Sequence, residues 1–121
     1  MNAKGLFITY PGCDLDLKLV LDLLKIKLSN QIIVDYLIVK ENSSNKIFHI
    51  HVFIKLLKPL NTYNNEFLNL KVNNTVYHGN YQSAKNPNHI IQYLLKTFSS
   101  PDDKNILFSK SIKNRISLLG S

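Results

Sequence analysis

Residues 32–57 read IIVDYLIVKENSSNKIFHIHVFIKLL, and this stretch decides the fold. Two runs rich in β-branched and aromatic residues, 32–41 and 48–57, flank the polar segment 42–46, which has the composition of a tight connection. The pattern predicts an antiparallel β-hairpin. Because alternate side chains of a strand point to the same face, we expect His49 and His51 to lie side by side on one face of the second strand.

Further elements are predicted before the hairpin. Residues 6–10 form a β-prone run that ends at a Pro-Gly turn. Asp14 is the predicted N-cap of a helix, and Asp16 is favourable near the positive end of that helix. Apolar residues then recur at three- and four-residue spacing, so we expect the helix to reach about Leu28.

The second half of the chain is more polar and less regular. Short strands are predicted around 67–70 and 76–82. Asn86 is the predicted cap of a second helix, which has an apolar face and runs to about Phe98. The segment 99–121 carries a weak helical signal and is interpreted as a C-terminal appendage.

The order of these elements predicts an α+β fold. A strand, a helix, two strands, small strands and a helix suit an antiparallel sheet of about five strands with helices packed on one side, as in RRM-like and ferredoxin-like proteins. The chain has 121 residues, of which 45% are hydrophobic, which is enough for one ordinary core. We therefore expect residues 1–121 to form a single domain.

Charge and composition narrow the class of partner. The formal net charge of +7 favours a polyanion, either nucleic acid or an acidic membrane surface. One cysteine excludes an internal disulfide and a cysteine-based zinc cage. No run approaches the roughly 20 apolar residues of a membrane span, and the start lacks the apolar core of a secretory signal. We therefore predict a soluble intracellular protein that needs no membrane and no small-molecule cofactor.

A metal site is the first chemical prediction. Glu41 ends the first strand of the hairpin, where cross-strand neighbours stand roughly 5 Å apart, and can supply a third ligand beside His49 and His51. Two imidazoles and one carboxylate suit Mn²⁺ or Mg²⁺ with open positions for water and phosphate. The alternative is that all three are polar residues of a solvated surface.

A nucleophile is the second chemical prediction. Tyr93 and Lys96 are three residues apart on the second predicted helix, so they project from the same face. With the metal, they define phosphoryl transfer in which the tyrosine oxygen attacks a phosphate and the lysine supplies positive charge. The alternative is an ordinary amphipathic helix.

These segments together resemble the HUH endonucleases, specifically the replication initiators of geminiviruses, circoviruses and related plasmids. LFITYP at 6–11 resembles the first motif of that family, implicated in DNA recognition, and FHIHVFI at 48–54 resembles its metal-binding motif. YLLK at 93–96 resembles the nucleophile motif. Glu41 stands at the place of the family's acidic ligand, and NYQSAK at 80–85 resembles a segment that helps to arrange DNA.

The resemblance implies an RRM-like HUH fold and a metal-dependent, site-specific single-stranded DNA endonuclease and strand transferase of the single-tyrosine class. Such an enzyme nicks origin DNA, forms a 5′-phosphotyrosine link and a free 3′-OH, and rejoins strands to end rolling-circle replication. The family's complete initiators usually continue into a helicase, yet no Gly-x-x-x-x-Gly-Lys-Ser/Thr pattern occurs here. The chain is thus interpreted as an amino-terminal domain or a minimal initiator, acting in a host nucleus if viral in a eukaryote and in the cytoplasm if from a bacterial plasmid.

Single-stranded DNA binding combines basic side chains for phosphates with aromatic faces for bases. The candidate contacts are Thr9, Tyr10, Lys55, Lys58, Tyr81, Gln82 and Lys85.

Two other functions fit parts of the pattern. A non-catalytic single-stranded nucleic-acid-binding module of RRM-like fold explains the charge but not the metal and nucleophile residues together. A metal-dependent hydrolase would use water in place of Tyr93.

Overall fold

The computed structural model describes residues 1–42, 45, 47–96 and 104–119, without the side chains of 116–119. The elements in this part of the chain are β1 Asn2–Pro11, α1 Leu17–Lys27, β2 Ile33–Asn42, β3 Phe48–Asn61, β4 Leu70–Val72, β5 Thr75–Tyr77, β6 Asn80–Ser83, α2 Pro87–Leu95, β7 Ile106–Phe108 and α3 Lys110–Leu119. Within these residues no helix is both long and apolar enough to cross a membrane.

A five-stranded antiparallel sheet forms the centre of the molecule, in the order β6-β1-β3-β2-β7. The central strand is β3, which extends over 14 residues and carries both candidate ligand histidines. Its hairpin partner is β2, and Glu41 pairs directly with His49. Strands β4 and β5 form a separate two-stranded sheet. The predicted α+β class with an antiparallel sheet of about five strands is confirmed.

Helices cover both faces of the sheet, which corrects the prediction that they pack on one side. One hydrophobic cluster contains Ile50 and Val52 of β3 together with α1, and we call this side the α1 face. The other cluster contains Phe53 of β3 with Leu94 of α2 and Ile112 of α3, and we call this side the α2 face. Neighbouring strand residues point to opposite faces, so the uninterrupted apolar run in β3 reflects burial on both sides.

Helix α1 begins two residues later than its predicted cap implied. The Asp16 carboxylate accepts a hydrogen bond from the backbone N–H of Leu19 at 3.3 Å, which makes Asp16 the N-cap. Asp14, the predicted cap, pairs with the ammonium of Lys40 at 3.1 Å. Asp16 therefore caps the helix, and Asp14 forms an ion pair with β2.

Helix α2 begins as predicted. The Asn86 side chain accepts a hydrogen bond from the backbone N–H of His89 at 3.2 Å, and Pro87 occupies the first turn. The helix ends at Leu95, and the predicted end near Phe98 lies outside the described residues.

The small strands differ from their predicted positions. The predicted strand at 67–70 starts only at Leu70, and the predicted strand at 76–82 is divided into β5 and β6. The division occurs because β5 pairs with β4, whereas β6 joins the main sheet beside β1.

Residues 104–119, which belong to the segment interpreted from the sequence as an appendage, contribute a strand and a helix to the described fold. Strand β7 pairs with β2 at the sheet edge, and Ile112 of α3 is fully buried. The Asp35 carboxylate of β2 accepts hydrogen bonds from the hydroxyls of Ser109 and Ser111, which ties the start of α3 to the sheet. The rest of the predicted appendage lies outside the described residues.

Tyr10 fastens β1 to the loop before β4. Its side chain is fully buried on the α1 face, and its hydroxyl donates to the backbone oxygen of Leu68 at 2.7 Å. Burial raises the pKa of Tyr10 above its usual range, so the hydroxyl stays protonated as a donor. Gly79 packs closely against the ring. A Cβ at this position would lie only 2.6 Å from Tyr10 Cε1, so a larger residue does not fit without a shift.

We predict that Tyr10→Phe lowers the free energy of unfolding by about 1–3 kcal/mol, because it leaves a buried carbonyl oxygen without its donor. Urea denaturation measures this difference. The matched control is Tyr63→Phe, since Tyr63 is 87% exposed, and this change should alter stability by less than about 0.5 kcal/mol. Equal stability of the two variants would contradict the role given to the Tyr10 hydroxyl.

Candidate metal and nucleophile site

The register of β3 determines which side chains meet on the α2 face. His49 lies opposite Glu41 of β2, and His51 lies opposite Thr9 of β1. Directly opposed residues of an antiparallel pair share a face, so these four side chains project from the same side of the sheet. Three neighbouring strands thus supply the candidate ligands and their surroundings.

The ring of His51 is contacted on three sides. Nε2 lies 3.1 Å from Glu41 Oε2, and Nδ1 lies 3.2 Å from Thr9 Oγ1. The ring stacks on Phe7, with centroids 6.0 Å apart and an angle of 24° between the planes. The side chain of His51 is 15% exposed, against 46% for Glu41. The imidazole therefore has a defined orientation, and the carboxylate is open to solvent.

Two opposing effects act on the charge of His51. Burial lowers the pKa of His51 because it removes water from the imidazolium, and the Glu41 carboxylate opposes this by stabilising the positive charge. Burial is the larger effect, so the neutral ring is favoured. A neutral imidazole is the form that binds a metal ion.

The geometry between Glu41 and His51 fits a divalent ion. Mg²⁺ takes its ligands at about 2.1 Å in octahedral geometry, so adjacent ligand atoms lie about 3.0 Å apart. The observed separation of 3.1 Å between Nε2 and Oε2 is close to that value. Because a carboxylate oxygen and an imidazole lone pair repel each other, this approach requires a proton or a cation between them.

His49 shares the face but does not join the other two side chains. Its Nδ1 accepts a hydrogen bond from the backbone N–H of Gly12 at 3.3 Å, which places the proton of the neutral ring on Nε2. Gly12 has φ of +64°, in the left-handed region that suits glycine, and this turn aims its N–H at the ring. Among the described residues, no three His, Cys, Asp or Glu side chains converge into a metal site. A third ligand position therefore requires the His49 ring to turn away from Gly12.

Helix α2 brings the candidate nucleophile to the same place. Tyr93 and Lys96 line a pocket together with Val39, Glu41 and Leu94. The Tyr93 side chain is 46% exposed, and the Lys96 ammonium lies 4.4 Å from the centroid of its ring. This is a cation–π contact, which holds a positive charge beside the tyrosine. The pocket joins the predicted carboxylate ligand to the predicted nucleophile.

Four predicted DNA contacts are exposed, and they are spread along the sheet and its connections. Gln82 pairs with Phe7, so it lies on the α2 face with the candidate ligands. Lys55 is exposed on the same face, four residues along β3 from His51. Lys58 is exposed towards the far end of β3, and Lys85 is exposed between β6 and α2. No two of these four residues are paired in the sheet.

Two predicted DNA contacts, Tyr10 and Tyr81, lie on the α1 face, opposite the candidate ligands. Tyr10 is buried on the α1 face. Tyr81 pairs with Ile8 on that same face, packs against its core, and donates its hydroxyl to the backbone oxygen of Asn64 at 2.6 Å. Neither ring presents a free surface beside His51, because both are used to hold the loop between β3 and β4. Tyr10 is fully buried and offers no surface to a base in this structure, whereas Tyr81 stays a predicted contact.

Sequence reasoning missed two residues that contact the histidines. Phe7 stacks on His51, and Gly12 donates its backbone N–H to His49. Phe7 precedes Thr9 by two residues and so shares its face, which is a signal in the strand period alone. The contact of Gly12 had no such signal, because the Pro-Gly pair indicates a turn without indicating what the turn faces.

Comparisons with known proteins identify the family. A family model described as the geminivirus Rep catalytic domain matches residues 1–103. The replication-associated protein A of Panicum streak virus (isolate Kenya) is 30% identical over 99 residues, which is 81% of this chain and 28% of that protein. The replication-associated protein of Tobacco yellow dwarf virus (strain Australia) is 32% identical over 96 residues, which is 79% of this chain and 27% of that protein.

The matches cover most of this chain but only part of each relative. The chain spans little more than a quarter of the length of either relative, 28% and 27%. The family match extends from β1 through α2 and so includes every candidate ligand and the candidate nucleophile. The resemblance to geminivirus replication initiators is confirmed, and this chain belongs to the geminivirus Rep catalytic domain family.

Proposed function

We propose that this chain nicks and rejoins single-stranded DNA at a replication origin, with Tyr93 as the nucleophile. The observation that carries the proposal is the pocket in which Tyr93 of α2 and Lys96, the C-cap of that helix, meet Glu41, whose carboxylate lies 3.1 Å from His51. Membership of the Rep catalytic domain family supports the same function. Both relatives are named replication-associated proteins, which supports an origin as the DNA target.

The proposed reaction is a transesterification with balanced bonds. The Tyr93 oxygen forms a bond to the scissile phosphorus while the bond from phosphorus to the 3′ oxygen breaks. The tyrosine proton leaves to solvent, and the departing 3′ oxygen takes up a proton to become a free 3′-OH. Rejoining is the reverse attack, in which a 3′-OH displaces Tyr93 from the 5′ phosphate.

Lys96 supplies the positive charge for this step. Its ammonium sits over the Tyr93 ring at 4.4 Å from the centroid, on the helix that carries the nucleophile. A fixed cation there stabilises the negative charge that develops on the attacking oxygen and on the phosphate. Leu94 packs into the core of the α2 face and fixes the helix, so Lys96 and Tyr93 keep their relative positions.

We propose Glu41, His49 and His51 as ligands of a divalent ion, Mn²⁺ or Mg²⁺. When bound, such an ion polarises a phosphate oxygen as a Lewis acid. The 3.1 Å separation of Glu41 Oε2 and His51 Nε2 supports this proposal, because it suits two adjacent ligands of such an ion. His49 completes the set by turning its ring from Gly12 and releasing the hydrogen bond that it accepts there.

The helicase domain, the location in the cell and the DNA contacts are also proposals for this chain. Because the chain spans about a quarter of its relatives, a helicase domain in a longer protein is proposed rather than observed. Location in the host nucleus stays a prediction that follows from the viral relatives. Gln82 and the lysines 55, 58 and 85 are the proposed contacts to DNA, since all four are exposed.

We predict that Tyr93→Phe abolishes formation of a covalent protein–DNA adduct and leaves single-stranded DNA binding nearly intact, because it removes only the attacking oxygen. The assay incubates protein with Mn²⁺ and labelled single-stranded DNA carrying candidate origin sequences, followed by denaturing electrophoresis. Tyr63→Phe is the matched control and should form the adduct, since Tyr63 is 87% exposed and lies outside the site.

Each outcome of this assay decides between functions. Normal nicking by Tyr93→Phe would refute the assignment of the nucleophile. Cleavage by the wild type without any adduct would indicate a hydrolase that uses water. DNA binding with neither cleavage nor adduct on any origin tested would indicate the non-catalytic binding module.

We predict that His51→Ala weakens Mn²⁺ binding by at least about tenfold and abolishes metal-dependent nicking, because it removes one of the two ligand atoms already in place. Calorimetric titration with Mn²⁺ measures the affinity, and circular dichroism checks the fold. His78→Ala is the control, since His78 is exposed and belongs to none of the motifs. Wild-type Mn²⁺ affinity in His51→Ala would remove this residue from the ligand set.

A further inference from the structure

Thr9 is placed against the histidine that the proposed metal site depends on. It lies directly opposite His51 in the pairing of β1 with β3, and its Oγ1 is 3.2 Å from His51 Nδ1. The contact is partly buried, which limits competition from water. The sequence suggested a role for Thr9 in DNA contact, yet its hydroxyl is directed to the imidazole.

The position of the proton on the His51 ring determines which ring nitrogen can bind a metal ion. A neutral ring carries one proton, so a lone pair on Nε2 requires the proton on Nδ1. The ring of a metal-bound histidine is oriented when this second N–H donates to an oxygen acceptor. Thr9 Oγ1 stands at hydrogen-bond distance from Nδ1, while Nε2 points to Glu41. A threonine hydroxyl both donates and accepts, so it can accept from Nδ1–H.

We propose that Thr9 is a positioning residue for the metal site, whose hydroxyl accepts the Nδ1 hydrogen of His51 when Nε2 binds the metal ion beside Glu41. This inference rests on the proposed function and adds a residue to it. Phe7 acts on the same ring by stacking, but it fixes only the plane of the ring. The hydroxyl of Thr9 supplies an acceptor for the Nδ1 hydrogen that the metal-binding tautomer carries.

Removal of the hydroxyl changes the competition for Nε2. Without an acceptor at Nδ1, the neutral ring is more stable with its proton on Nε2, where it donates to the Glu41 carboxylate across the 3.1 Å gap. That hydrogen bond occupies both ligand atoms, so a metal ion must displace the proton before it can bind. Removal of the Thr9 hydroxyl should therefore weaken metal binding and shift the His51 proton towards Nε2.

The test compares Thr9→Val with Thr9→Ser. Valine keeps the shape and the β-branch that suit a strand, whereas serine keeps the hydroxyl. We expect Thr9→Val to weaken Mg²⁺ and Mn²⁺ binding by about 10- to 100-fold in calorimetric titration, the range for loss of an outer partner of a ligand. Thr9→Ser should restore most of that affinity. Urea denaturation reports whether each variant folds, and Thr9→Ala replaces Thr9→Val if valine prevents folding.

A second measurement reads the tautomer directly. In ¹⁵N-labelled protein loaded with Mg²⁺, the ring nitrogens of His51 should show a protonated Nδ1 in the wild type. In metal-free protein, the fraction of His51 rings with the proton on Nδ1 should be lower in Thr9→Val than in the wild type, and Thr9→Ser should restore the wild-type fraction. A merely structural role for Thr9 would change stability without moving this proton.

Different outcomes would overturn the role of Thr9 alone or the proposed metal site as well. Wild-type metal affinity in Thr9→Val would overturn the role of Thr9 and leave the metal site standing. An Nε2 proton in the Mg²⁺-loaded wild type would remove His51 from the proposed ligand set and overturn this inference with it. Weaker binding of single-stranded DNA in EDTA with unchanged metal affinity would make Thr9 a DNA contact and also overturn it. A wild-type protein that binds neither Mg²⁺ nor Mn²⁺ would remove the proposed metal site and this inference together.

Discussion

The pairing of β3 with both of its neighbours is the constraint on which the rest of the structure depends. His49 and His51 face the same side only because the strand period is two, and they meet Glu41 and Thr9 only because the register places those residues opposite them. A slip of one residue would move both imidazoles to the other face of the sheet. The apolar residues of β3 oppose such a slip, because it would exchange the packing of the two cores.

Two covered faces explain how a short chain supports a site of this kind. The α1 face is packed with helix α1 and braced by the hydroxyls of Tyr10 and Tyr81, which hold the loop that follows β3. The α2 face carries the candidate ligands at one end of the strands, and Phe53 packs with α2 and α3 further along. One strand therefore contributes to a rigid core and to the site within a few residues. Side chains on such elements hold their geometry better than side chains on loops.

The candidate site combines one ordered group with one open group. His51 is 15% exposed and held by Phe7 and Thr9, whereas Glu41 is 46% exposed and faces the pocket of Tyr93. Burial favours the neutral imidazole of His51, which is the form that binds a metal ion. The net charge of +7 is a property of the whole chain and favours polyanions over acidic ligands of low charge.

The sequence by itself determined the hairpin, the common face of His49 and His51, the nearness of Glu41 and the start of α2 at Asn86, because strand period, hairpin length and helix capping are local. Only the tertiary structure decided that Tyr10 is buried, that Thr9 contacts His51, and that 104–119 supplies a strand and a helix to the fold. Each of these depends on which strands become neighbours in the sheet. That choice is made by long-range packing on two faces, and no short window of sequence contains it.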